Sequence, residues 1–225
     1  MGKRKLAFVH TSPAAVGPLM QFYAGAAPDL EITNLLDDGL LRLLAAGDQE
    51  TARERLTDMV GVAARTYGAE AAMITCSSVS KEMAEQIAGR FELPVLKIDY
   101  PMARSAVRAG ARVGVAATFP PTLGPTRRLI TEAAEEAGAE VEIVEQVAGG
   151  AYDALLAGDA ERHDELLLAA VSELEARGVS VVVLAQVSMA RVLPKVGGRV
   201  GVPVLSSLHT SLEAIREALG RGPAA

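Results

Sequence analysis

The strongest constraint on the fold is an internal repeat, because the same order of landmarks recurs after about 110 residues. The segment MITCSS at residues 73–78 has a counterpart in VLAQVS at residues 183–188, which places Gln186 where the first half has Cys76. Other pairs follow the same offset: residues 93–96 with 202–205, 46–48 with 157–159, Gly68 with Gly178, and Thr11 with Thr118. Two halves with one order of landmarks predict two similar lobes with a ligand cleft between them.

Short apolar runs alternate with longer helical patterns along the chain. Strands are predicted at residues 6–9, 31–35, 71–75, 95–98, 113–116, 140–144, 181–184 and 204–205, and helices at residues 51–66, 81–90, 126–136, 162–176 and 211–219. Asp48 and Asp159 are predicted N-caps, and Gly68, Gly138 and Gly178 are predicted helix ends. The alternation predicts an α/β fold with parallel sheets, with a first lobe at residues 1–104 plus 206–225 and a second at residues 105–205.

Composition excludes several classes of protein. The net charge is −6 and only eight residues are Phe or Tyr, which argues against nucleic-acid binding. The single cysteine forms no internal disulfide, and the apolar run that follows Lys5 stops at His10, too early for a signal peptide. No apolar stretch approaches the roughly 18 residues of a membrane span, so a cytoplasmic protein without a membrane partner is predicted.

Small and polar residues follow four predicted strands. They are Ser12 with its neighbours His10 and Thr11; Cys76, Ser77 and Ser78; Thr118 and Thr122; and Gln186, Val187 and Ser188. In open parallel sheets ligands bind beyond the carboxyl ends of the strands, and helix N-termini there favour an anion. These segments therefore predict a cradle for a carboxylate, although each residue alone also fits a helix cap.

Cys76 has two interpretations. A buried free cysteine is commonly a small hydrophobe, but its place at a strand end before a helix, followed by two serines, favours a reactive thiol. His10 and His209 follow predicted strands and are candidates for a second base, whereas His163 lies in a charged stretch and is predicted to be solvated. No metal-ligand spacing, G-x-G-x-x-G or Walker A sequence is present, so a site without metal or cofactor is predicted.

With these segments the chain resembles the aspartate/glutamate racemase superfamily, which includes hydantoin and glutamate racemases, maleate isomerase and arylmalonate decarboxylase. The resemblance rests on the strand–Cys–Ser–Ser segment at Cys76, on Thr118 and Thr122, and on the strand at residues 181–184 that leads into Gln186. It implies two doubly wound lobes related by a pseudo-twofold axis, with one catalytic cysteine from each lobe and no cofactor. By this mapping Cys76 is the first cysteine and Gln186 replaces the second. The residues that would hold the carboxylate are Ser12, Ser77, Ser78, Thr118, Thr122, Val187 and Ser188.

The replacement changes the chemistry that the resemblance implies. A glutamine cannot exchange a proton near neutral pH, but it can donate and accept hydrogen bonds. The leading hypothesis is a cofactor-independent isomerase of a small carboxylic acid or amino-acid derivative, with Cys76 as acid/base or nucleophile. The alternatives are a single-cysteine decarboxylase, a cysteine hydrolase assisted by Lys97 or Asp99, and a binding protein without catalysis. Members of the family commonly form homodimers or higher homo-oligomers, and the same is expected here.

Overall fold

The computed structural model describes residues 2–220 of the 225-residue chain. At Ala14 it describes only the backbone. The chain divides into two compact units, of which the first holds the residues up to Ile98 and those from Ser211, and the second holds residues 99–210. The lobe boundaries predicted from the sequence lie after residues 104 and 205. Residues 221–225, assigned to the first lobe from the sequence, lie outside the described residues.

The first unit is a parallel four-stranded sheet with the strand order β2-β1-β3-β4 and helices around it. Its strands are β1 (Arg4–His10), β2 (Leu30–Leu36), β3 (Ala71–Ile74) and β4 (Val95–Lys97). Its helices are α1 (Val16–Ala26), α2 (Leu40–Ala45), α3 (Gln49–Tyr67), α4 (Lys81–Ala88) and the part of α10 (Ser207–Ala218) from Ser211 onward.

The second unit repeats this topology with the strand order β6-β5-β7-β8. Its strands are β5 (Arg112–Ala117), β6 (Glu142–Val147), β7 (Val181–Leu184) and β8 (Val204–Ser206). Its helices are α5 (Tyr100–Ala109), α6 (Leu123–Ala137), α7 (Ala151–Leu156), α8 (Ala160–Ala176) and α9 (Leu193–Val196). One-turn 3₁₀ helices at Pro13–Ala15 and Pro120–Thr122 follow β1 and β5, and a longer one at Val187–Val192 follows β7.

The β7 strand shows why apolar runs in this chain form parallel sheets. All four of its residues are buried: Val182 and Leu184 belong to one apolar cluster, and Val181 and Val183 belong to another. A strand alternates its side chains between the two faces of the sheet, so both faces of the second sheet are covered. The predicted α/β class with parallel sheets is therefore confirmed, and each of the eight predicted strands overlaps an observed one.

Five helices were not predicted, namely α1, α2, α5, α7 and α9. For α1 and α5, a proline near the start of the helix explains why the sequence pattern did not predict a helix. Pro18 and Pro101 lie in the first turn of their helices, where the absent N–H would have had no intrahelical partner. The change of unit lies between Ile98 and Asp99, just before α5 begins at Tyr100.

Matching hydrogen bonds show which residues of the two sheets correspond. The Thr75 N–H donates to the Val9 carbonyl at 3.0 Å, and the Ala185 N–H donates to the Ala116 carbonyl at 3.0 Å. Thr75 immediately precedes Cys76, and Ala185 immediately precedes Gln186. The thiol and the amide therefore occupy equivalent positions, two residues beyond the last residue of β3 and of β7.

The predicted helix signals also match in the two units. The Asp48 carboxylate accepts a hydrogen bond from the Thr51 N–H, and the Asp159 carboxylate accepts one from the Arg162 N–H. Gly68, with a φ of 64°, follows the end of α3, and its predicted counterpart Gly178 has a φ of 76°. These predictions of N-caps and of left-handed glycines near helix ends are confirmed.

Candidate active site

Cys76 lies just beyond the carboxyl end of β3, with 6% of its surface exposed. It belongs to an apolar cluster of the first unit that also contains Ile74, Val79 and Met83. Ser77 and Ser78 form an exposed turn, and the next serine, Ser80, caps α4 by accepting a hydrogen bond from the Met83 N–H at 3.1 Å. The turn thus separates the thiol from the capped helix, and neither Ser77 nor Ser78 is the N-cap of that helix.

His10 ends β1 and is fully buried beside the strand that leads to Cys76. Its Nδ1 lies 2.7 Å from the Thr75 Oγ1, and its Nε2 lies 2.9 Å from the Asn34 Oδ1. Because Oδ1 only accepts, Nε2 carries the proton, and Nδ1 of the neutral ring can only accept. The Thr75 hydroxyl, which has one proton, is closer to this Nδ1 than to its other acceptor, the Val9 carbonyl oxygen at 3.3 Å. Burial lowers the pKa of His10, and the hydrogen bond to Asn34 opposes this only in part. Both ring nitrogens are therefore engaged in hydrogen bonds, and the assignment of His10 as a second base remains a prediction.

Gln186 is held by Thr118 at the equivalent edge of the second sheet. The Gln186 Oε1 accepts from the Thr118 N–H at 2.8 Å and from the Thr118 hydroxyl at 2.9 Å. Thr118 is 3% exposed, whereas Gln186 is half-buried. Thr118, which the resemblance assigns to a substrate carboxylate, thus directs both its N–H and its hydroxyl to a side-chain amide oxygen in this structure.

Other residues predicted to hold the carboxylate lie near the ends of β1, β5 and β7. The Thr122 hydroxyl donates to the Phe119 carbonyl at 2.7 Å, within the 3₁₀ turn that follows β5. Val187 and Ser188 are half-buried at the start of the 3₁₀ helix after Gln186, and Ser12 is half-buried just after β1. The assignment of these residues to a bound carboxylate remains a prediction.

A buried charge cluster supports the segment after Gln186. The Asp164 carboxylate on α8 is 2% exposed; its Oδ1 lies 2.9 Å from the Arg191 Nε, and its Oδ2 lies 2.6 Å from the Lys195 Nζ. Burial alone would raise the pKa of this carboxyl. The hydrogen bonds from Lys195 and His163 and the charges of Arg191 and Lys195 lower it by a larger amount, so the pKa lies below its usual value. The cluster ties residues 187–196 to α8.

The prediction that His163 is solvated is wrong, because its side chain is fully buried and its Nδ1 lies 2.9 Å from the Asp164 Oδ1. The charged neighbours Glu161 and Glu165 misled the prediction. The helical spacing from His163 through Leu167 and Val171 to Leu174 was the available signal, since all four lie on the buried face of α8.

His209, the other candidate second base, is exposed, and its Nδ1 lies 3.0 Å from the Ser206 Oγ at the end of β8. Among residues 2–220, no group of three or more His, Cys, Asp or Glu side chains is arranged to hold a metal ion. No helix in the same range is long and apolar enough to cross a membrane.

These positions define the chemistry that is available. The first sheet presents one thiol, which can act as a nucleophile or a proton carrier. The second sheet presents at the equivalent position a neutral amide, which can stabilise a developing negative charge on oxygen but cannot transfer a proton near neutral pH.

Solved structures with this fold are known. An aspartate racemase homologue from Pyrococcus horikoshii has a TM-score of 0.72 at 15% identity, over 96% of this chain and 99% of that chain. Allantoin racemase from Pseudomonas fluorescens has a TM-score of 0.65 at 18% identity, over 98% and 93% of the two chains. Unliganded arylmalonate decarboxylase has a TM-score of 0.60 at 19% identity, over 99% and 95%. At these identities the similarities show a common fold of two lobes with parallel sheets.

No curated protein matches the chain significantly in sequence. The sequence model of one family, Asp/Glu/Hydantoin racemase, matches residues 29–215, which contain both Cys76 and Gln186 and every described strand except β1. With the fold and this match in agreement, the chain belongs to the Asp/Glu/Hydantoin racemase family.

Proposed function

We propose that this protein is a cofactor-independent isomerase of a small carboxylic acid or amino-acid derivative, with Cys76 as its only thiol. The observation that carries the proposal is the equivalence of Cys76 and Gln186 in the two sheets, together with the hydrogen bonds that hold the Gln186 amide. Racemisation by two thiols removes a proton from one face of a carbon and returns it to the other. A chain with one thiol and one amide lacks the second proton carrier.

Cis–trans isomerisation requires only one thiol. The Cys76 thiolate adds to one carbon of a double bond conjugated to the carboxylate, so a C–S bond forms and the π electrons move onto the carboxylate oxygens. The resulting enediolate rotates about what is now a single bond. The electrons then return, the double bond re-forms with the other geometry, and the C–S bond breaks to release the thiolate. No proton is gained or lost, and the Gln186 N–H groups supply hydrogen bonds to the enediolate oxygen.

A decarboxylase is the second candidate, and the single thiol favours it as well. Loss of carbon dioxide from a substituted malonate leaves an enediolate, which takes one proton from the Cys76 thiol on one face. The thiolate then recovers a proton from water. One proton carrier is sufficient for this reaction, and the likeness to arylmalonate decarboxylase in fold is consistent with it.

NMR in deuterium oxide on aspartate, glutamate, hydantoins, maleate and substituted malonates tests the proposal. Wild-type protein is compared with Cys76→Ala, which removes the thiol, and with Glu82→Gln, which changes an exposed residue in the first turn of α4 and keeps the thiol. We expect a change in double-bond geometry with wild type and with Glu82→Gln but not with Cys76→Ala. Release of carbon dioxide with deuterium at the α-carbon would identify the decarboxylase instead.

Activity that survives in Cys76→Ala would show that the proposal is wrong. If none of the three proteins converts any acid of the panel, the result would favour a cysteine hydrolase or a binding protein without catalysis. A Gln186→Cys variant extends the test, because it restores a thiol at the equivalent position. If the missing thiol is what prevents racemisation, this variant exchanges the α-proton of aspartate or glutamate, and the wild type does not.

A further inference from the structure

The orientation of the Gln186 amide follows from its contacts with Thr118. A backbone N–H can only donate, so the Gln186 atom that lies 2.8 Å from the Thr118 N must be the oxygen. The Thr118 hydroxyl, 2.9 Å from the same oxygen, reinforces this choice. A reversed amide would place its NH₂ group against the backbone N–H and would lose that hydrogen bond. The oxygen is therefore fixed toward Thr118.

The fixed oxygen determines what Gln186 offers to a ligand. The Nε2 group has two N–H donors, and no hydrogen bond within residues 2–220 uses either of them, while the side chain is only half-buried. The amide thus presents donors alone, since its acceptor is already occupied by two hydrogen bonds.

The residue that binds the Gln186 amide and the residues that directly follow Gln186 in the chain carry no negative charge. Thr118, Thr122, Val187 and Ser188 are neutral, and the charged residue of the 3₁₀ helix at residues 187–192 is Arg191, a cation paired with Asp164. A bound ammonium group needs acceptors or a carboxylate beside it. This part of the second unit favours an oxygen acceptor instead.

We propose that Gln186 is a specificity-determining residue that selects carboxylic acids without a charged α-ammonium group over the corresponding α-amino acids. The inference rests on the proposed function for its site and deepens it by naming the substrate class. The Gln186 N–H donors would bind a carboxylate or carbonyl oxygen of the ligand. An α-ammonium group in the same place would face two N–H donors, lose hydration and gain no acceptor.

Two pairs of acids with the same carbon skeleton provide the test: succinate with aspartate, and glutarate with glutamate. Dissociation constants are measured by titration calorimetry or NMR on the full chain, independently of turnover. We expect wild type to bind succinate and glutarate at least about tenfold more tightly than aspartate and glutamate, which corresponds to about one hydrogen bond to a charged group.

Gln186→Glu is the informative variant. One of its carboxylate oxygens still accepts from Thr118, and the other replaces the NH₂ donors by a charged acceptor. We expect the preference to reverse in favour of aspartate and glutamate. Gln146→Glu is the matched control, because it makes the same charge change on a half-buried residue of β6 that contacts Val147 and Arg177 rather than Thr118. It is expected to keep the wild-type preference.

The outcomes separate this inference from the proposed function. Selective binding of succinate by a wild type that transforms no acid of the panel would overturn the proposed function and support the inference. Equal or tighter binding of aspartate, an unchanged preference in Gln186→Glu, or no binding of either acid would overturn the inference. Isomerase activity that depends on Cys76 would still support the proposed function in those cases.

Discussion

The Lys195 Nζ lies 2.6 Å from the Oδ2 of Asp164, a carboxylate with 2% of its surface exposed. The second cation, Arg191, binds the other oxygen of the same carboxylate, and both cations come from the segment that follows Gln186. About half of the Lys195 side chain remains in contact with solvent, so the ion pair joins a buried anion on α8 to partly hydrated cations. The position of residues 187–196 thus depends on one carboxylate.

Asp164→Asn is expected to lower the free energy of unfolding by about 2 kcal/mol. The substitution keeps the shape of the side chain and an oxygen for His163 but removes the charge that Arg191 and Lys195 share. Chemical denaturation at neutral pH measures the effect. Glu165→Gln on the same helix is the control, because its ion pair with Arg162 is well exposed and its loss should cost less than about 0.5 kcal/mol. Equal costs for the two variants would contradict the assignment.

His10 is expected to make the protein less stable as the pH falls. Its pKa is lowered in the folded state, so below the ordinary value of about 6.5 the unfolded chain binds more protons than the folded one. The contribution of the neutral ring is complete above that pH and is lost progressively as the pH falls toward the lower folded value. Melting temperatures between pH 7.5 and 5 should therefore decline less in His10→Gln than in wild type. His209→Gln, at an exposed position, should decline as wild type does, and identical curves for all three proteins would refute the prediction.

Gly110 is required by a close approach in the second unit. A Cβ added at this residue would lie 2.4 Å from the Cβ of Ser180, which is too close for any pair of side chains. Gly110→Ala should therefore cost about 2 kcal/mol in unfolding free energy, and Ser180→Gly should restore part of that loss. Gly124→Ala near the start of α6 is the control, because nothing lies within 4 Å of its added Cβ. A Gly110→Ala protein as stable as the control would contradict this packing.

The two aspartate caps should make similar contributions to stability. Asp48 and Asp159 accept hydrogen bonds of 3.2 and 3.0 Å from the third residue after them, and each follows a glycine with positive φ. Asp48→Ala and Asp159→Ala should each cost about 1 kcal/mol, and the double variant should cost their sum because the caps belong to different helices. Thermal unfolding of the three variants measures this, and a cost confined to one cap would show that the equivalence is only geometric.

The sequence was most informative where local chemistry determines the structure. Apolar runs of Val, Ala and Ile identified the strands, and aspartates and glycines identified the ends of α3 and α8, because these signals act within a few residues. The helices α1 and α5 were not predicted, because Pro18 and Pro101 suggest loops when their place in the first turn of a helix is unknown. The short α7 has too few residues for a clear helical period.

The candidate site was predicted as a set of positions rather than as a set of contacts. The repeat paired Cys76 with Gln186, and the backbone hydrogen bonds of Thr75 and Ala185 confirm that the two positions are equivalent. The hydrogen bonds from Thr118 to Gln186 could not be predicted, because they join residues 68 positions apart through a particular side-chain rotamer. The network of His10, Thr75 and Asn34 was not predicted for the same reason, since it joins β1, β2 and the residue that follows β3, and the sequence does not specify their register.

The part of α10 from Ser211 onward has a consequence for the order in which the two units are completed during synthesis. Ser211 lies 3.0 Å from the buried hydroxyl of Tyr23, and Arg216 donates a hydrogen bond to the Ala26 carbonyl, so residues near both ends of the sequence build the first unit. Translation delivers residues 99–210, the whole second unit, before this helix leaves the ribosome. The unit whose strands come first in the chain is therefore completed only after the whole of the second unit has been synthesised.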